Sequence, residues 1–171
     1  YLHLIAETIE AGRQVLVLVP EIGLTPQLVT RLRHRLGIEP ALLHSGLSDL
    51  DRLRAWRQAR SGDARLIVGT RSAVFTPLAN PGLVIVDEEH DHSFKQQEGL
   101  RYSARDLAVV RAKRRGIPVI LGSATPTLEM GIDVGNIEIT GHLGAPWTVN
   151  ALVQRLGRSG RKEGEPSIMR M

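Results

Sequence analysis

Val84-Ile85-Val86-Asp87-Glu88-Glu89-His90 is a β-branched apolar run closed by a cluster of acids. A short run of this kind reads as a strand buried on both faces, as in parallel sheets. The acids then stand at the strand's carboxyl end, where open α/β sheets place their ligands. Two adjacent acids with different jobs suit nucleotide hydrolysis. Asp87 would hold Mg²⁺ through water, and Glu88 would orient and deprotonate the attacking water. A bare D-E pair reads better as a solvated acidic turn, so the surrounding chain has to decide between the two.

Outward from that stretch, strands and helices alternate. Leu2, Ile5, Ala6 and Ile9 recur at helical spacing, and Gly12 stops the helix. Residues 14–19 form an apolar strand ending at Pro20. Thr25-Pro26 reads as an N-cap and first-turn proline, opening a helix with Leu28, Leu32 and Leu36 inward and Gly37 at its end. A short strand covers 41–44. Ser48 with Asp51 resembles a capping box, and the helix it starts runs to about Arg60 with Leu50, Leu53 and Arg57 on one side. Further strands are expected over 65–69, 83–87 and 117–122. Before the last of these, Ser103 and Asp106 cap a helix rich in Arg111, Lys113, Arg114 and Arg115, closed by Gly116. This alternation predicts βαβ units, a largely parallel sheet of at least five strands, and helices on both faces.

Composition sets the outer bounds. The chain's 171 residues allow one ordinary domain, or one domain and a fragment of another. Its 42% hydrophobic and 23% charged content is that of a globular protein. With no cysteine, a disulfide framework and a Cys-based zinc site are excluded, which fits a cytoplasmic setting. No apolar stretch approaches the roughly 20 residues of a membrane span, so a membrane is not expected as a partner. The net charge of +4 and a pI near 10.1 lean toward polyanions.

Several segments carry chemistry only in company. Val19-Pro20-Glu21-Ile22-Gly23-Leu24-Thr25-Pro26-Gln27 joins a strand end to a helix N-terminus, where free N–H groups and the Thr25 hydroxyl can meet a phosphate backbone. Gly69-Thr70-Arg71-Ser72 is a second strand-end loop with a cation and two hydroxyls. The segment from His92 to Tyr102 is polar and basic, and its Phe94 and Tyr102 could stack on unpaired bases while cations follow the phosphates. Gly122-Ser123-Ala124-Thr125-Pro126 follows the last strand, and its hydroxyls can bond a neighbouring acid–histidine pair. In Gln154-Arg155-Leu156-Gly157-Arg158-Ser159-Gly160-Arg161 the arginines three apart can clamp a transferring phosphoryl group. Each also has a plain structural reading: helix capping, a surface loop, docked aromatics, a turn, a basic patch.

Together, V-P-E-I-G-L-T-P-Q, G-T-R-S-A-V-F, D-E-E-H-D, K-Q-Q-E-G-x-R-Y-S-A-R-D and G-S-A-T-P-T-L-E resemble the PriA (primosomal protein N′) family of superfamily 2 DNA helicases, which act in bacterial replication restart. The likeness covers residues 1–129, and its K-Q-Q-E-G block is its most specific part. It implies a RecA-like sandwich over 1–129, the helicase ATP-binding lobe, and ATP and Mg²⁺ as cofactors. Residues 19–27 then match motif Ia, with Thr25 and Gln27 on nucleic acid, and 69–72 lie at motif Ib, with Thr70 and Arg71 likewise. Residues 87–90 match motif II, with Asp87, Glu88 and His90 catalytic and Asp87 the Mg²⁺ ligand. In the aromatic-rich loop that couples DNA to ATP, Phe94, Lys95, Arg101 and Tyr102 meet DNA. Ser123, Ala124 and Thr125 match motif III, the coupling motif. Single-stranded and forked DNA, 3′ to 5′ movement and replication-restart proteins as partners come with the resemblance.

The chain departs from that pattern in three places. No G-x-x-x-x-G-K-[ST] phosphate loop occurs in it. Leu100 stands where the family often has an aromatic. Residues 130–171 resemble motifs V and VI of another superfamily 2 type, with Asp133, Gln154, Arg158 and Arg161 toward nucleotide and Arg158 and Arg161 catalytic, yet they are too few for a second RecA-like lobe. The expectation is a helicase fragment with a remnant of the second lobe, from a deletion or fusion, with exposed apolar surface around Ile132, Val134, Ile137 and Trp147. A catalytically inactive DNA-binding or interaction module is the alternative. A metal-dependent hydrolase built on Asp87, Glu88, His90, Asp91 and His92 is the remaining one.

Overall fold

The computed structural model describes residues 1–123, and beyond them only the backbone of two short parallel-paired strands, Thr140–Gly141 and Met169–Arg170. The chain divides into two compact units, Tyr1–Ser123 and Ala124–Met171. The expectations placed on Ala124, Thr125, Asp133, Gln154, Arg158 and Arg161, and on apolar surface around Ile132, Val134, Ile137 and Trp147, lie outside the described residues.

Unit one is built on a five-stranded sheet. Its strands are β1 (Gln14–Leu18), β2 (Ala41–Leu43), β3 (Leu66–Gly69), β4 (Pro81–Val86) and β7 (Val119–Leu121). They run in the order β2-β3-β1-β4-β7, and every pairing is parallel. The helices are α1 (Leu2–Glu10), α2 (Pro26–Leu36), α3 (Asp49–Ser61) and α4 (Ala104–Arg115). A small antiparallel hairpin, β5 (Lys95–Gln96) with β6 (Tyr102–Ser103), stands apart from the main sheet.

The twofold alternation of side chains along a strand divides the core. On β1, Leu16 and Leu18 face one layer with α3 and α4, and Val15 and Val17 face the other with α1 and α2. Every residue of β1 and β4 is buried, which is why both read as continuous apolar runs rather than alternating ones. The helix ends follow their caps. Thr25, Ser48 and Ser103 accept from Leu28, Asp51 and Asp106 N–H, while Gly37, Gly62 and Gly116 close α2, α3 and α4 in the left-handed conformation.

The inward side of α3 is not the one its large residues suggest. Ala55 and Ala59 face the sheet, whereas Leu50 and Leu53 are exposed. The same rule holds on α4, seated by Ala104, Ala108 and Ala112. Alanine at every fourth position lets the helix axis approach the sheet closely, and a leucine there would hold it off.

Gln14 opens β1 with a buried amide. Its Nε2 donates to the carbonyls of Ala59 (2.9 Å) and Ala64 (2.7 Å), and its Oε1 accepts from Asn80 N–H (3.0 Å). It thereby satisfies a carbonyl in the last turn of α3 that no intrahelical donor can reach.

Candidate functional site

Parallel order brings the loops after β1, β3, β4 and β7 to one edge of the sheet, the carboxyl edge, as the strand-end motifs require. At its centre is the acid loop after β4. Asp87 N–H still pairs with the Leu18 carbonyl (2.9 Å), extending the ladder by one residue. Glu88 then turns left-handed at φ 48°, an uncommon conformation for a residue with a side chain. Asp91 N–H closes the turn on the Glu88 carbonyl (2.8 Å). Glu89 N–H donates to the Gly122 carbonyl (2.9 Å), and Gly122 N–H to the Val86 carbonyl (2.8 Å), so the ends of β4 and β7 are laced together.

Across that lacing lies the expected acid–histidine–hydroxyl group. Ser123 Oγ is 2.7 Å from His90 Nδ1, and the same ring nitrogen is 3.7 Å from Glu88 Oε2. The acid loop after β4 and the end of β7 are therefore in direct side-chain contact. Asp87 has a different neighbour: the Tyr1 hydroxyl donates to its Oδ1 at 3.1 Å. Burial, and then the Asp87 charge, push the Tyr1 phenol up to about 12. The slot for that hydroxyl exists because Gly122 has no side chain; a Cβ there would lie 1.4 Å from the Tyr1 oxygen.

Asp91 is engaged locally, its Oδ1 accepting from Ser93 N–H at 2.7 Å, and this bond holds its carboxyl below the usual range. No group of His and acidic residues that could by itself hold a metal ion occurs among the described residues. Asp87, Glu88, His90, Asp91 and His92 are therefore not gathered as a metal-ligand cluster, whereas Asp87 alone could serve Mg²⁺, which takes one or two carboxylates when phosphates supply the rest.

The nucleic-acid candidates are sorted by burial. Lys95 and Arg101 are exposed and, with Gln96, Gln97, Tyr102 and Ser103, line an open depression of about 510 Å³ on the hairpin. Phe94 cannot stack on a base. The Asp91-capped turn over His92–Phe94 directs its ring into the core, where it is 1% exposed. Thr70 is likewise buried, its chain held by Leu43 and Ala73 through backbone bonds. Arg71 turns its guanidinium onto the carbonyls of Ser93 (3.3 Å) and Lys95 (3.1 Å), making it a strut between two loops. The aromatic surface at the hairpin is half-buried Tyr102 with Phe75, edge to face at 4.9 Å, and Phe75 is 56% exposed. Thr25 uses its hydroxyl as the α2 cap, and Gln27 is exposed beside it, on a second depression with Thr30, Arg31, His34 and Arg35.

Residues 1–131 match the family described as DEAD/DEAH box helicase. The chain belongs to that family. It is 54% identical over 136 residues to the replication restart protein PriA of Haemophilus influenzae, covering 80% of this chain and 19% of that protein. It is 41% identical over 160 residues to PriA of Chlamydia trachomatis, covering 93% of this chain, past residue 129, and 20% of that protein. The chain thus spans about a fifth of the length of these relatives. Among solved structures, the C-terminal part of the Fun30 ATPase domain matches with a TM-score of 0.50 at 16% identity, over 76% of this chain and 42% of that one. At that identity it supports the RecA-like α/β fold alone.

Four residues at or near the site have no role that the sequence alone suggests. Tyr1 and Gly122 shape the surroundings of Asp87, and Phe75 supplies the second accessible ring. Glu89, inside D-E-E-H, is buried and pairs with Arg105 at 2.9 Å. The G-T-R-S-A-V-F and S-A-R-D blocks contain Phe75 and Arg105, but contact across so many residues has no local signature.

Proposed function

We propose that residues 1–129 are the ATP-binding lobe of a PriA-type DNA helicase, and that residues 130–171 are a remnant of the second lobe, contributing Asp133, Gln154, Arg158 and Arg161 toward nucleotide. The observation that carries this reading is the contact of Glu88, His90 and Ser123 at the carboxyl edge of the sheet. An acid turned by strain and linked to the next strand end suits a group that activates water and reports nucleotide state. Asp87 fits Mg²⁺: its Oδ1 is held by Tyr1, and its Oδ2 takes no hydrogen bond among the described residues. With ATP bound, Mg²⁺ would neutralise phosphate charge there, and Glu88 would hold the attacking water. Single-stranded DNA, extended to a fork, would run past Thr25, Gln27, Lys95, Arg101, Tyr102 and Phe75, with movement 3′ to 5′. Replication-restart proteins and a cytoplasmic setting accompany that role.

The test is binding of a fluorescent oligothymidylate to the full chain at several salt concentrations. Affinity should fall as salt rises, and Lys95→Ala or Arg101→Ala should flatten the slope by about 0.7 for each phosphate no longer neutralised. Binding indifferent to salt would remove the DNA assignment. The second reading is a catalytically inactive DNA-binding or interaction module. Failure to bind ATP, with DNA binding intact, would decide for it.

A further inference from the structure

Glu89 and Arg105 form the most enclosed ion pair among the described residues: Nε to Oε2 is 2.9 Å, and the side chains are 15% and 5% exposed for Arg105 and Glu89. Its location matters more than its strength. Glu89 follows Glu88 directly, and its N–H is fastened to Gly122. Arg105 lies in the first turn of α4, close behind β6, and the strand-to-helix joint is fixed by Ser103 capping α4. The pair therefore connects the acid loop to the return strand of the β5–β6 hairpin. The outgoing strand is held separately, by Arg71 on the Ser93 and Lys95 carbonyls.

The pair is not arranged for stability alone. Arg105 also bonds Asp106 at 2.7 Å, and its Nη2 is buried with no hydrogen-bond partner among the described residues. A buried donor left unbonded is unfavourable, and a small rotation of the hairpin and α4 could supply it an acceptor. A guanidinium that exchanged between two such arrangements would be the kind of discrete element through which distant sites bias each other.

We propose that Arg105 is a positioning residue that relays occupancy of the β5–β6 hairpin by single-stranded nucleic acid to the Glu88-Glu89 turn, through its ion pair with Glu89. This rests on the DNA reading of the hairpin given above. It assigns the link to one pair, whereas Arg71 holds the hairpin without reaching the acids. A single neutral replacement leaves the other partner's charge unpaired, so each is compared with the double variant, in which neither charge remains.

The experiment is an amide chemical-shift titration of the full 171-residue chain with an oligothymidylate. In the unaltered protein the amides of residues 95–103 shift on binding, and those of 87–90 and Gly122 shift with them. In Arg105→Gln the hairpin shifts persist, affinity changes by less than about threefold, and the acid-loop shifts fall to under half. By the logic of a double-mutant cycle, Glu89→Gln gives the same loss and the double variant adds nothing to it. Arg105→Lys recovers part of the relay, which a general loosening of the fold would not. Should Arg105→Gln fail to fold, Glu89→Gln carries the same comparison. Acid-loop shifts that survive at full size in both variants overturn the relay while leaving the DNA reading intact. Absence of hairpin shifts in the unaltered protein overturns the DNA reading, and the relay with it.

Discussion

A side chain on residue 122 is expected to displace a group from the other end of unit one. A Cβ on residue 122 would sit 1.4 Å from the Tyr1 hydroxyl oxygen and 2.6 Å from its ring carbon, so Gly122→Ala must expel the phenol. The Tyr1–Asp87 hydrogen bond is then broken. A bond to a charged acceptor contributes about 1.5–3 kcal/mol, and since Tyr1 is half-exposed the lower end applies, roughly 1 kcal/mol after screening. The sharper readout is the phenol itself, followed by ultraviolet absorbance in a Tyr102→Phe background where Tyr1 is the sole tyrosine. Rapid mixing reads it before alkali unfolds the chain. With Gly122 present, Tyr1 should ionise near 12; with alanine there it should return toward 10. The sign for stability follows. The fold favours the protonated phenol, so its contribution is complete below pH 10 and disappears as pH rises from 10 to about 12. A Tyr1 that titrates near 10 in the unaltered protein, or is unmoved by Gly122→Ala, would refute the reasoning.

Two further outcomes are expected. Gln14→Leu nearly preserves volume but abolishes two buried hydrogen bonds and a part-buried one, and leaves the Ala59 and Ala64 carbonyls without that donor; at about 1 kcal/mol each the loss is roughly 3 kcal/mol, read from the urea midpoint. A change under about 1 kcal/mol would mean water replaces the amide there. The chain should show little ATP hydrolysis, even with DNA and Mg²⁺, because Asp87 can hold the metal usefully only against phosphates that a G-x-x-x-x-G-K-[ST] loop fixes, and its sequence has none. Joining G-S-G-K-T ahead of Tyr1 should restore nucleotide binding first. DNA-stimulated turnover by the chain as it stands, abolished by Glu88→Gln, would overturn that expectation.

Local chemistry made most of the fold legible. The caps at Thr25, Ser48 and Ser103, the glycines closing α2 and α4 and the apolar runs of β1 and β4 each act within a few residues. The five-stranded parallel sheet follows from their alternation. The sequence pattern misled where packing overrode size, as on α3, where Ala55 and Ala59 face inward and Leu50 and Leu53 do not. At the site, the meeting of His90 and Ser123 could be anticipated because each ends a strand of one parallel sheet, and β4 and β7 are neighbours. Phe94 could not. Whether an aromatic in a polar loop points out or in depends on a single turn, here the one Asp91 caps.

The same distinction changes what the net charge means. A surplus of +4 invites a reading of diffuse affinity for polyanions, yet many of the cations behind it are engaged or face away from the site. Arg71 and Arg111 are bonded to backbone carbonyls, Arg105 to Glu89 and Asp106, and Arg13 to the Pro81 carbonyl. Another set, with Arg33 and Arg35 on α2, Arg60 on α3 and Lys113, Arg114 and Arg115 on α4, lies in the last turns of those helices, where cations complement the helix dipole. Crossover helices run against the strands they connect, so their carboxyl ends sit at the amino edge of the sheet, opposite the motif loops. Around the hairpin that leaves Lys95 and Arg101 exposed at the depression. Neutralising two phosphates implies a salt slope of only about −1.4 for single strands, so the hairpin of this chain should hold DNA weakly and depend on Tyr102 and Phe75 as much as on charge.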